Sequence, residues 1–484
     1  MKHFFSKKNN LTSGLILINV LVFAGVAIVV TTGLVTWGTT ILKNSIQLTN
    51  RQQAFEIAEA GIDYYRWHLA HSPVDYYDGN ASTTHGPYIH DFLDKDGNQI
   101  GRYALTITPP ATGTTIVTIV ATGTVLADPS IQRVIQTKLA IPSLANYAVV
   151  ANDNMHFGSG TVVYGPVQSN KGIHFDGVAH NTVSSALSTY VDPDLNDGVQ
   201  RFAVYTTGDP LPASTSTPPS NVTTFMAGRI FPVPVVDFSG LTTNLASLKT
   251  IATNGGSYFS SSGVQGYHVI LKANDTFDVY KVNSLQTLSG SSCTGNTTVG
   301  TQTGWGTWSI NTQSFMANYP FPTSGVVFFE DNIWVDGTIN TARLTIAAGT
   351  FPYSAGTSKS ITVNRNLLYT NLDGTDVVAL IAQNNFNVGY DSLDTLTIDG
   401  AIVAQNGRVG RFYYANTCGA SSTQSTLNLD GMIATNVRYG FAYSDNTGYT
   451  NRNITYDSNL LYGPPPSFPL ASSQYSTISW SVLR

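Results

Sequence analysis

The sequence predicts a mainly β protein that is anchored by one long N-terminal α-helix. Charged residues make up only 11% of the 484-residue chain, against about 25% in an average soluble domain. Thr, Ser, Asn and Gly take their place, and this composition favours strands joined by tight turns over long surface helices. Near the N-terminus, the uncharged and largely apolar run between Lys8 and Lys43 has the length of a membrane span.

That apolar run predicts a single-pass membrane protein. The run is longer than the apolar core of a cleaved signal peptide, which has about 7–15 residues. Lys2, Lys7 and Lys8 precede it, so the positive-inside rule places the N-terminus in the cytoplasm. The predicted localisation of the rest of the chain is therefore extracellular, at the cell surface.

Beyond the span, the helix is predicted to continue as a stalk. Apolar or small residues recur there at coiled-coil-like spacing, which predicts a narrow packing seam. The seam comprises Ile41, Leu48, Phe55, Ala58, Ile62, Tyr65 and Leu69. We therefore predict one nearly continuous helix over residues 15–70, with its upper part packed on the chain's own β domain.

The first part of the head predicts a small antiparallel sheet over residues 71–142. Three segments alternate apolar and polar residues in the manner of half-buried strands: Ile100–Thr108, Thr115–Gly123 and Ile131–Ile141. Asp94–Asn98 lacks the ligand spacing of a calcium loop, so we interpret it as a hairpin turn.

The larger part of the head predicts a β-solenoid. Similar Asp-Gly units recur at Asp336, Asp399 and Asp430, at intervals of 63 and 31 residues. A period of this length is typical of stacked coils that bury each other's apolar faces. We predict a solenoid that starts at 143–185 and continues over 325–470, with an insertion or subdomain at 186–324 and a C-terminal strand or tail at 471–484. Within the insertion, we predict a helix at Leu241–Ala252 and two paired strands, Tyr267–Lys272 and Thr276–Val282.

The N-terminal region resembles that of type IV pilins and pseudopilins. After a basic leader over residues 1–14, Gly14 and Leu15 stand where the prepilin-peptidase site lies in that family. Arg51–Tyr64, with the sequence RQQAFEIAEAGIDY, resembles the corresponding segment of PilX-type minor pilins. The resemblance implies cleavage between Gly14 and Leu15, a pilin-like helix that enters a large β head, and other pilin-like subunits as partners of the helix.

Asn19 departs from the pattern of major pilins. It stands at the fifth mature position, where those proteins carry a Glu that pairs with a neighbour's N-terminal amine. Asn forms hydrogen bonds but does not neutralise an ammonium ion. The departure points away from a repeating shaft subunit and toward a tip or sparse position.

The chain has two cysteines, Cys293 and Cys418, and neither has a metal-ligand spacing. An extracellular location and an even number of cysteines predict one disulfide. The bond would close a loop of about 125 residues and contribute roughly 4–5 kcal/mol in the chain-entropy model. Two unpaired buried cysteines are the alternative.

We predict no catalytic residue, no metal and no cofactor. The residues closest to a metal-ligand cluster are His156, His174, Asp176 and His180. Zinc requires three or four converging ligands, and we interpret these residues as polar strand and turn groups.

Carboxylates and aromatic residues are the other candidates for chemistry in the head. A polysaccharide-cleaving groove needs two carboxylates about 5–9 Å apart, and the candidates are Asp373, Asp376, Asp391, Asp394 and Asp399. Asp-Gly pairs among them favour turns instead. Phe412–Tyr414 and Phe441–Tyr443 are interpreted mainly as core, with some rings available for a sugar- or protein-binding surface.

Three functions remain open from the sequence. The first is a non-enzymatic minor pilin-like component, the second a membrane-anchored adhesin outside any filament, and the third an anchored carbohydrate-active enzyme. Expected partners are pilin-like subunits, the membrane, and a surface polysaccharide or host-cell protein. A net charge of −5 without a basic tract in the head argues against nucleic-acid binding by a charged face.

Overall fold

The computed structural model describes residues 11–81, 84–111, 113–211, 213, 218–288, 304–471 and 473–483, and only the backbone of 11–14 and 239–244. The chain forms two compact units. The first unit comprises Met1–Pro109, Val117–Leu139 and Thr477–Arg484, and the second comprises Pro110–Ile116 and Ala140–Ser476. The small unit is thus assembled from both ends of the chain.

Helix α1, Leu11–His71, is continuous over 61 residues. At about 1.5 Å per residue it is about 90 Å long. No proline interrupts it, and Pro73 stands two residues beyond its last residue. Its residues Leu15–His71 contain a window of mean hydropathy 2.6 that is 0% buried, so this helix is long and apolar enough to cross a membrane. The predicted continuous helix over 15–70 is confirmed.

The first unit places a sheet against the C-terminal half of α1. Its strands are β1 Tyr88–Leu93, β2 Gln99–Thr108, β3 Val117–Val125, β4 Asp128–Ala140 and β31 Ser476–Val482, in the spatial order β1-β2-β3-β4-β31. The first four pair antiparallel. The C-terminal strand, which the sequence left without a partner, completes this sheet beside β4.

Close approach of α1 to the sheet depends on small residues. Ala54 and Ala58 are fully buried, and β3 presents Gly123 beneath them. A Cβ at Gly123 would lie only 2.0 Å from the Ala54 carbonyl oxygen. The helix backbone therefore rests directly on the strand, at a distance that a larger residue would prevent.

The second unit contains helix α2, Ser239–Gly255, three short 3-10 helices in its described part, and the remaining strands. The 3-10 helices are Asn416–Cys418, Ala420–Ser422 and Ser458–Leu461. The strands are β5 Val149–Ala151, β6 Met155–Phe157, β7 Thr161–Tyr164, β8 Val167–Ser169, β9 Ile173–Phe175, β10 Val178–Ala179, β11 Val183–Ser185, β12 Thr189–Val191, β13 Gln200–Phe202, β14 Val204–Tyr205, β15 Arg229–Ile230, β16 Ser257–Phe259, β17 Gly266–Lys272, β18 Thr276–Leu285, β19 Ile310–Pro320, β20 Val326–Phe329, β21 Ile333–Ile339, β22 Arg343–Ala348, β23 Ile361–Thr362, β24 Leu367–Tyr369, β25 Val377–Ala382, β26 Phe386–Val388, β27 Thr395–Ala404, β28 Val409–Arg411, β29 Thr423–Thr435 and β30 Gly448–Tyr456.

Most of these strands stack in parallel, which is the pairing expected of a solenoid. The longest stack, termed the main ladder, runs in the spatial order β16-β20-β22-β25-β27-β29-β5-β8-β11-β15. A second stack runs β17-β21-β24-β27-β29-β30-β7-β10. In both stacks the coils of residues 149–185 follow the last coils of the chain, so spatial order differs from sequence order.

The segment 186–324 differs from the predicted insertion. Its strand β15 extends one end of the main ladder and its strand β16 extends the opposite end. Helix α2 lies between these strands in sequence. Its residues Leu245, Leu248 and Ala252 are buried in one cluster with ladder residues such as Phe328 and Ile381. The segment therefore belongs to the second unit, and its helix α2 covers part of the outer face of the main ladder.

Candidate functional site

The N-terminal half of α1 carries the most extensive apolar surface in the described part of the chain. Its large hydrophobic side chains between Leu15 and Leu48 are each half or more exposed, with Leu15 at 67% and Leu48 at 64%. Exposed apolar surface on this scale marks a region that a membrane or another protein covers. This half of the helix is the first candidate site.

The predicted seam divides between two environments. Its members Ala58, Ile62, Tyr65 and Leu69 are buried on the sheet. Phe55 is partly buried and meets Trp480 edge-on, with ring centroids 5.9 Å apart.

Ile41 and Leu48, the first two seam members, are 50% and 64% exposed. Burial on α1 begins only at Asn50, so Ile41 and Leu48 have no described partner in this chain. Burial also extends to Ala54 and Ile57, because a sheet contacts a wider face of a helix than a coiled-coil partner does.

The residues of the implied cleavage site lie within α1. Leu15 and Asn19 are exposed, and cleavage between Gly14 and Leu15 stays a prediction. Cys293 lies outside the described residues, so the disulfide with Cys418 also stays a prediction. Cys418 ends a 3-10 helix and packs at the edge of a cluster with Tyr390 and other aromatic residues.

Two histidines and three aspartates lie close together in the second unit. Strands β6 and β9 pair in register, which stacks the rings of His156 and His174 with centroids 4.1 Å apart and planes 8° apart. His174 Nε2 lies 2.9 Å from Asp176 Oδ2, and its Nδ1 lies 3.4 Å from Asp192 Oδ2. His156 Nδ1 lies 3.6 Å from Asp194 Oδ2.

The cluster holds its charges in opposite pairs. Burial opposes the positive charge of His174, but the adjacent carboxylates of Asp176 and Asp192 outweigh burial and raise its pKa from 6.5 to about 9. The interaction with His156 is the main cause that lowers the pKa of Asp194, with further help from Arg438. The raised pKa favours the imidazolium form of His174 at neutral pH, which strengthens its pairing with Asp176 and Asp192.

The same cluster fits a metal ion poorly in this arrangement. Ligand atoms of His156, His174 and Asp176 all lie within 4.8 Å of one another. The nitrogen lone pairs of the two stacked rings lie in separate parallel planes, however, so one ion cannot lie in the plane of both rings. Asp176 already accepts hydrogen bonds from the Thr206 hydroxyl and from the amide and hydroxyl of Thr207.

His180, the last of the four residues considered for metal binding in the sequence, lies apart from this cluster. Its ring stacks on that of Tyr164, with centroids 4.2 Å apart.

The five candidate carboxylates serve mainly local structure. Asp376 accepts the backbone amides of Ala342, Thr370 and Asn371. Asp373 accepts the amide of Thr375 in a turn, as its Asp-Gly pair predicted. Asp376 and Asp394 also bond the neighbouring coil, at the amides of Ala342 and Ser425.

Asp399 does not form the turn that its Asp-Gly pair predicted, because it lies inside strand β27, where it is 4% exposed and in register with Asp430 of β29. Burial, followed by the charges of Asp430 and Asp457, raises its pKa to about 6. Its Oδ2 accepts the amide of Tyr369 at 2.7 Å. A carboxylate buried to this degree is inaccessible to a polysaccharide chain.

The aromatic segments are largely core, as the sequence predicted for most of their rings. Phe412, Tyr414 and Phe441 are each 1% exposed. Only Tyr413 and Tyr443 reach the surface, where they pack edge-on at 5.1 Å.

Comparison with known proteins adds one structural likeness. No family model matches this sequence, and no curated protein matches it. Among solved structures, the competence-associated pilin ComZ from Thermus thermophilus is similar at 14% identity, over 90% of this chain and 98% of that chain, with a TM-score of 0.30. A score this low supports no conclusion about shared fold or function.

Proposed function

We propose that this chain is a membrane-anchored, pilin-like surface protein that acts as a non-enzymatic minor component of a type IV pilus or related filament. The observation that carries the proposal is the division of α1. Its C-terminal half is buried on the chain's own sheet, whereas Leu15–Leu48 is apolar and exposed. Before assembly a bilayer covers that half, and in a filament the helices of other subunits cover it.

A tip or sparse position is favoured over a shaft position. The chain inserts Ala140–Ser476 between β4 and β31 of its first unit. A repeating shaft has little room for so large an insertion in every subunit. Asn19 also lacks the charge that pairs with a neighbour's amine in major pilins, and it lies on the exposed half of α1.

Processing of the N-terminus tests the pilin-like assignment. We expect the protein purified from its native membrane to begin at Leu15, with a free or methylated amine, when analysed by mass spectrometry. The variant Gly14→Val is expected to keep the leader, and Ser13→Ala serves as the matched control that is still processed. A wild-type chain that retains the leader would contradict the proposal.

Immunogold labelling tests the position. Antibody against the second unit is expected to mark filament ends or isolated points. Uniform decoration along the shaft would show that the tip assignment is wrong.

An anchored adhesin outside any filament is the second candidate. Asn19 favours it, because the charge pairing that guides docking between pilin subunits is missing. In that case, label would remain on the cell body in cells that make filaments, and sheared filaments would carry none.

A further inference from the structure

A pocket of about 300 Å³ opens where the antiparallel strands β17–β19 meet the parallel stacks of the second unit. It is built from five separate stretches of sequence, which explains why no motif revealed it. Its lining residues are His268, Ser309, Ile310, Asn311, Gln313, Trp334, Val335, Asp336, Asn364, Arg365 and Asp391. A cavity of this volume is at the lower limit for small-ligand sites.

His268 sets the polar geometry of one wall. The residue is 9% exposed, and β17 pairs with β21 so that it stands beside the strand of Asp336. Its Nε2 lies 2.7 Å from Asp336 Oδ2, and its Nδ1 lies 2.7 Å from Gln313 Oε1. The imidazole therefore fixes one atom of the carboxylate and one atom of the amide.

The second atom of each group remains available. Within the described part of the chain, no hydrogen bond engages Asp336 Oδ1 or the outer polar atom of the Gln313 amide. A carboxylate oxygen accepts hydrogen bonds, and the outer amide atom donates or accepts them according to which atom faces His268. A ligand with neighbouring hydroxyl groups satisfies both atoms, because each hydroxyl donates one hydrogen bond and accepts others.

The opposite charges of the pocket are engaged with each other. Arg365 donates from Nη2 to Asp391 Oδ2 at 3.3 Å and from Nη1 to the Asp391 carbonyl at 2.6 Å. Gln286 also donates to Asp391 Oδ2. With Arg365 paired to Asp391 and Asp336 hydrogen-bonded to His268, each charged side chain that lines the pocket has a partner within the chain, which favours a neutral ligand.

The pocket also has an apolar wall. Trp334 is 2% exposed, and its indole N–H already donates to the Trp308 carbonyl at 2.9 Å. With its N–H engaged, Trp334 lines the cavity as an almost wholly buried apolar side chain, and the partly buried Ile310 adds a second apolar contact. Apolar surface beside polar groups suits a ligand that has both C–H and hydroxyl surface.

We propose that this pocket binds one neutral sugar residue of a surface polysaccharide or glycan, with Asp336 and Gln313 contacting adjacent hydroxyls. This inference rests on the proposed function, since it assigns a ligand class to the head of an anchored surface protein. It locates binding in the pocket and not on the rings of Phe412–Tyr414.

The test uses the full chain in lipid nanodiscs, because maltoside detergents would present sugar headgroups. Saturation-transfer NMR is recorded with glucose, galactose, mannose and N-acetylglucosamine, and with glucuronic acid, glucosamine and arginine as charged probes. We expect saturable binding of at least one neutral sugar. Preference for a charged probe, or no saturable signal from any neutral sugar, overturns the proposal.

Variants locate the binding. Gln313 and Asn311 are both exposed, so their replacement by Ala leaves the core intact. Gln313→Ala and Asn311→Ala are each expected to weaken binding at least tenfold, which corresponds to about 1.4 kcal/mol.

The matched control is Ser314→Ala, the next residue along β19, which accepts a hydrogen bond from Asn283 and does not line the pocket. Wild-type affinity in both pocket variants overturns the proposal. Because cleavage at Leu15 does not depend on the pocket, N-terminal analysis fails or succeeds independently of this test.

Discussion

Strands β3 and β25 show how differently the two units use a sheet. Along β3, buried and half-buried residues alternate, and the buried ones face α1. Along β25, all six residues of VVALIA are buried. An antiparallel sheet with one covered face needs apolar residues only at every second position, whereas a parallel strand covered on both faces needs them throughout.

Two different sets of residues cover the two faces of the main ladder. Even-numbered and odd-numbered residues of β25 enter different clusters: Val378 and Leu380 face the interior of the stack, and Val377 and Ile381 meet α2 and its flanking residues. The comparison teaches that α1 stabilises the first unit from one side, whereas the second unit is stabilised from inside and outside.

The largest loss of stability is expected when a buried guanidinium group is removed from the second unit. Arg411 is 0% exposed and donates hydrogen bonds to Ser392 Oγ at 2.7 Å, to the Tyr390 carbonyl at 3.0 Å, and to the carbonyls of Gly389 and Ser421. Arg411→Ala removes four buried hydrogen bonds, of which three are to carbonyl oxygens, and creates a cavity, so we expect a loss of about 4 kcal/mol in unfolding free energy.

Chemical denaturation of the full chain measures this loss. The matched control is Arg102→Ala in the first unit, whose partner is Asp91 and whose side chain is 57% exposed. We expect less than about 0.5 kcal/mol there. Equal losses in the two variants would contradict the contrast between the units.

The next effect is expected where α1 meets its sheet. Gly123→Val places a side chain against the Ala54 carbonyl, so helix and strand must separate at a cost of about 3 kcal/mol. Hydrogen exchange should show faster exchange in β2 and β3 with β25 unchanged. Gly158→Ala is the control, because nothing lies within 4 Å of the added atom. Uniform loss of protection in both units would contradict the prediction.

A smaller effect is expected from the His174 cluster as pH rises. Because the folded pKa of His174, about 9, lies above its unfolded value, its contribution to stability is fully present below pH 6.5. The contribution is lost as pH rises through 9. We expect the second unit to lose on the order of 1–3 kcal/mol over this range. Thermal unfolding of wild type and His174→Gln at pH 6 and pH 9.5 measures it, and the same slope in both proteins would be inconsistent with this origin.

The smallest effect on stability is expected on the exposed half of α1. Leu48→Ser changes a side chain that is 64% exposed, so we expect less than about 0.5 kcal/mol in unfolding free energy. Co-purification with other pilin-like subunits should fall, whereas it should stay normal in Glu59→Gln, an exposed position higher on the helix. Normal co-purification of Leu48→Ser would argue against helix-mediated assembly through this face.

Local patterns predicted individual elements well. The helix expected at Leu241–Ala252 is present as Ser239–Gly255. The expected strand pair at Tyr267–Lys272 and Thr276–Val282 is present as β17 and β18, in antiparallel register. These elements follow from periodicity within a few residues, which the sequence displays directly.

The Asp-Gly units show how far the sequence repeat predicted the register of the strands. Asp399 and Asp430 lie in register, as their interval of 31 residues suggested. The coil of β24 separates Asp336 from them, and Gly337 pairs with Leu367, which pairs in turn with Ile398. The Asp-Gly unit at Asp336 is thus out of register with the other two by two residues, because turns of unequal length separate the coils.

The pocket beside His268 was beyond sequence analysis for a related reason. Among the residues that line the pocket, the sequence singled out only Asp391 as a candidate for chemistry, and the role considered for it was catalysis. Its neighbours come from strands that meet only after β17 pairs with β21. The pairing of two distant strands leaves no periodic signal in the sequence. The alternation of apolar and polar residues along each strand does not depend on which strand becomes its partner.

The sequence by itself determined the long N-terminal helix with its apolar first half, the small antiparallel sheet and the stacked-strand character of the second unit, because each depends on residues that are close in the chain. Tertiary structure alone decided that Ser476–Val482 joins the first sheet and that β5 follows β29 in the main ladder. Parallel and long-range pairing is chosen by the burial of whole faces after distant segments meet. The local sequence of an apolar strand is compatible with pairing to several other strands, and only the assembled unit determines which pairing forms.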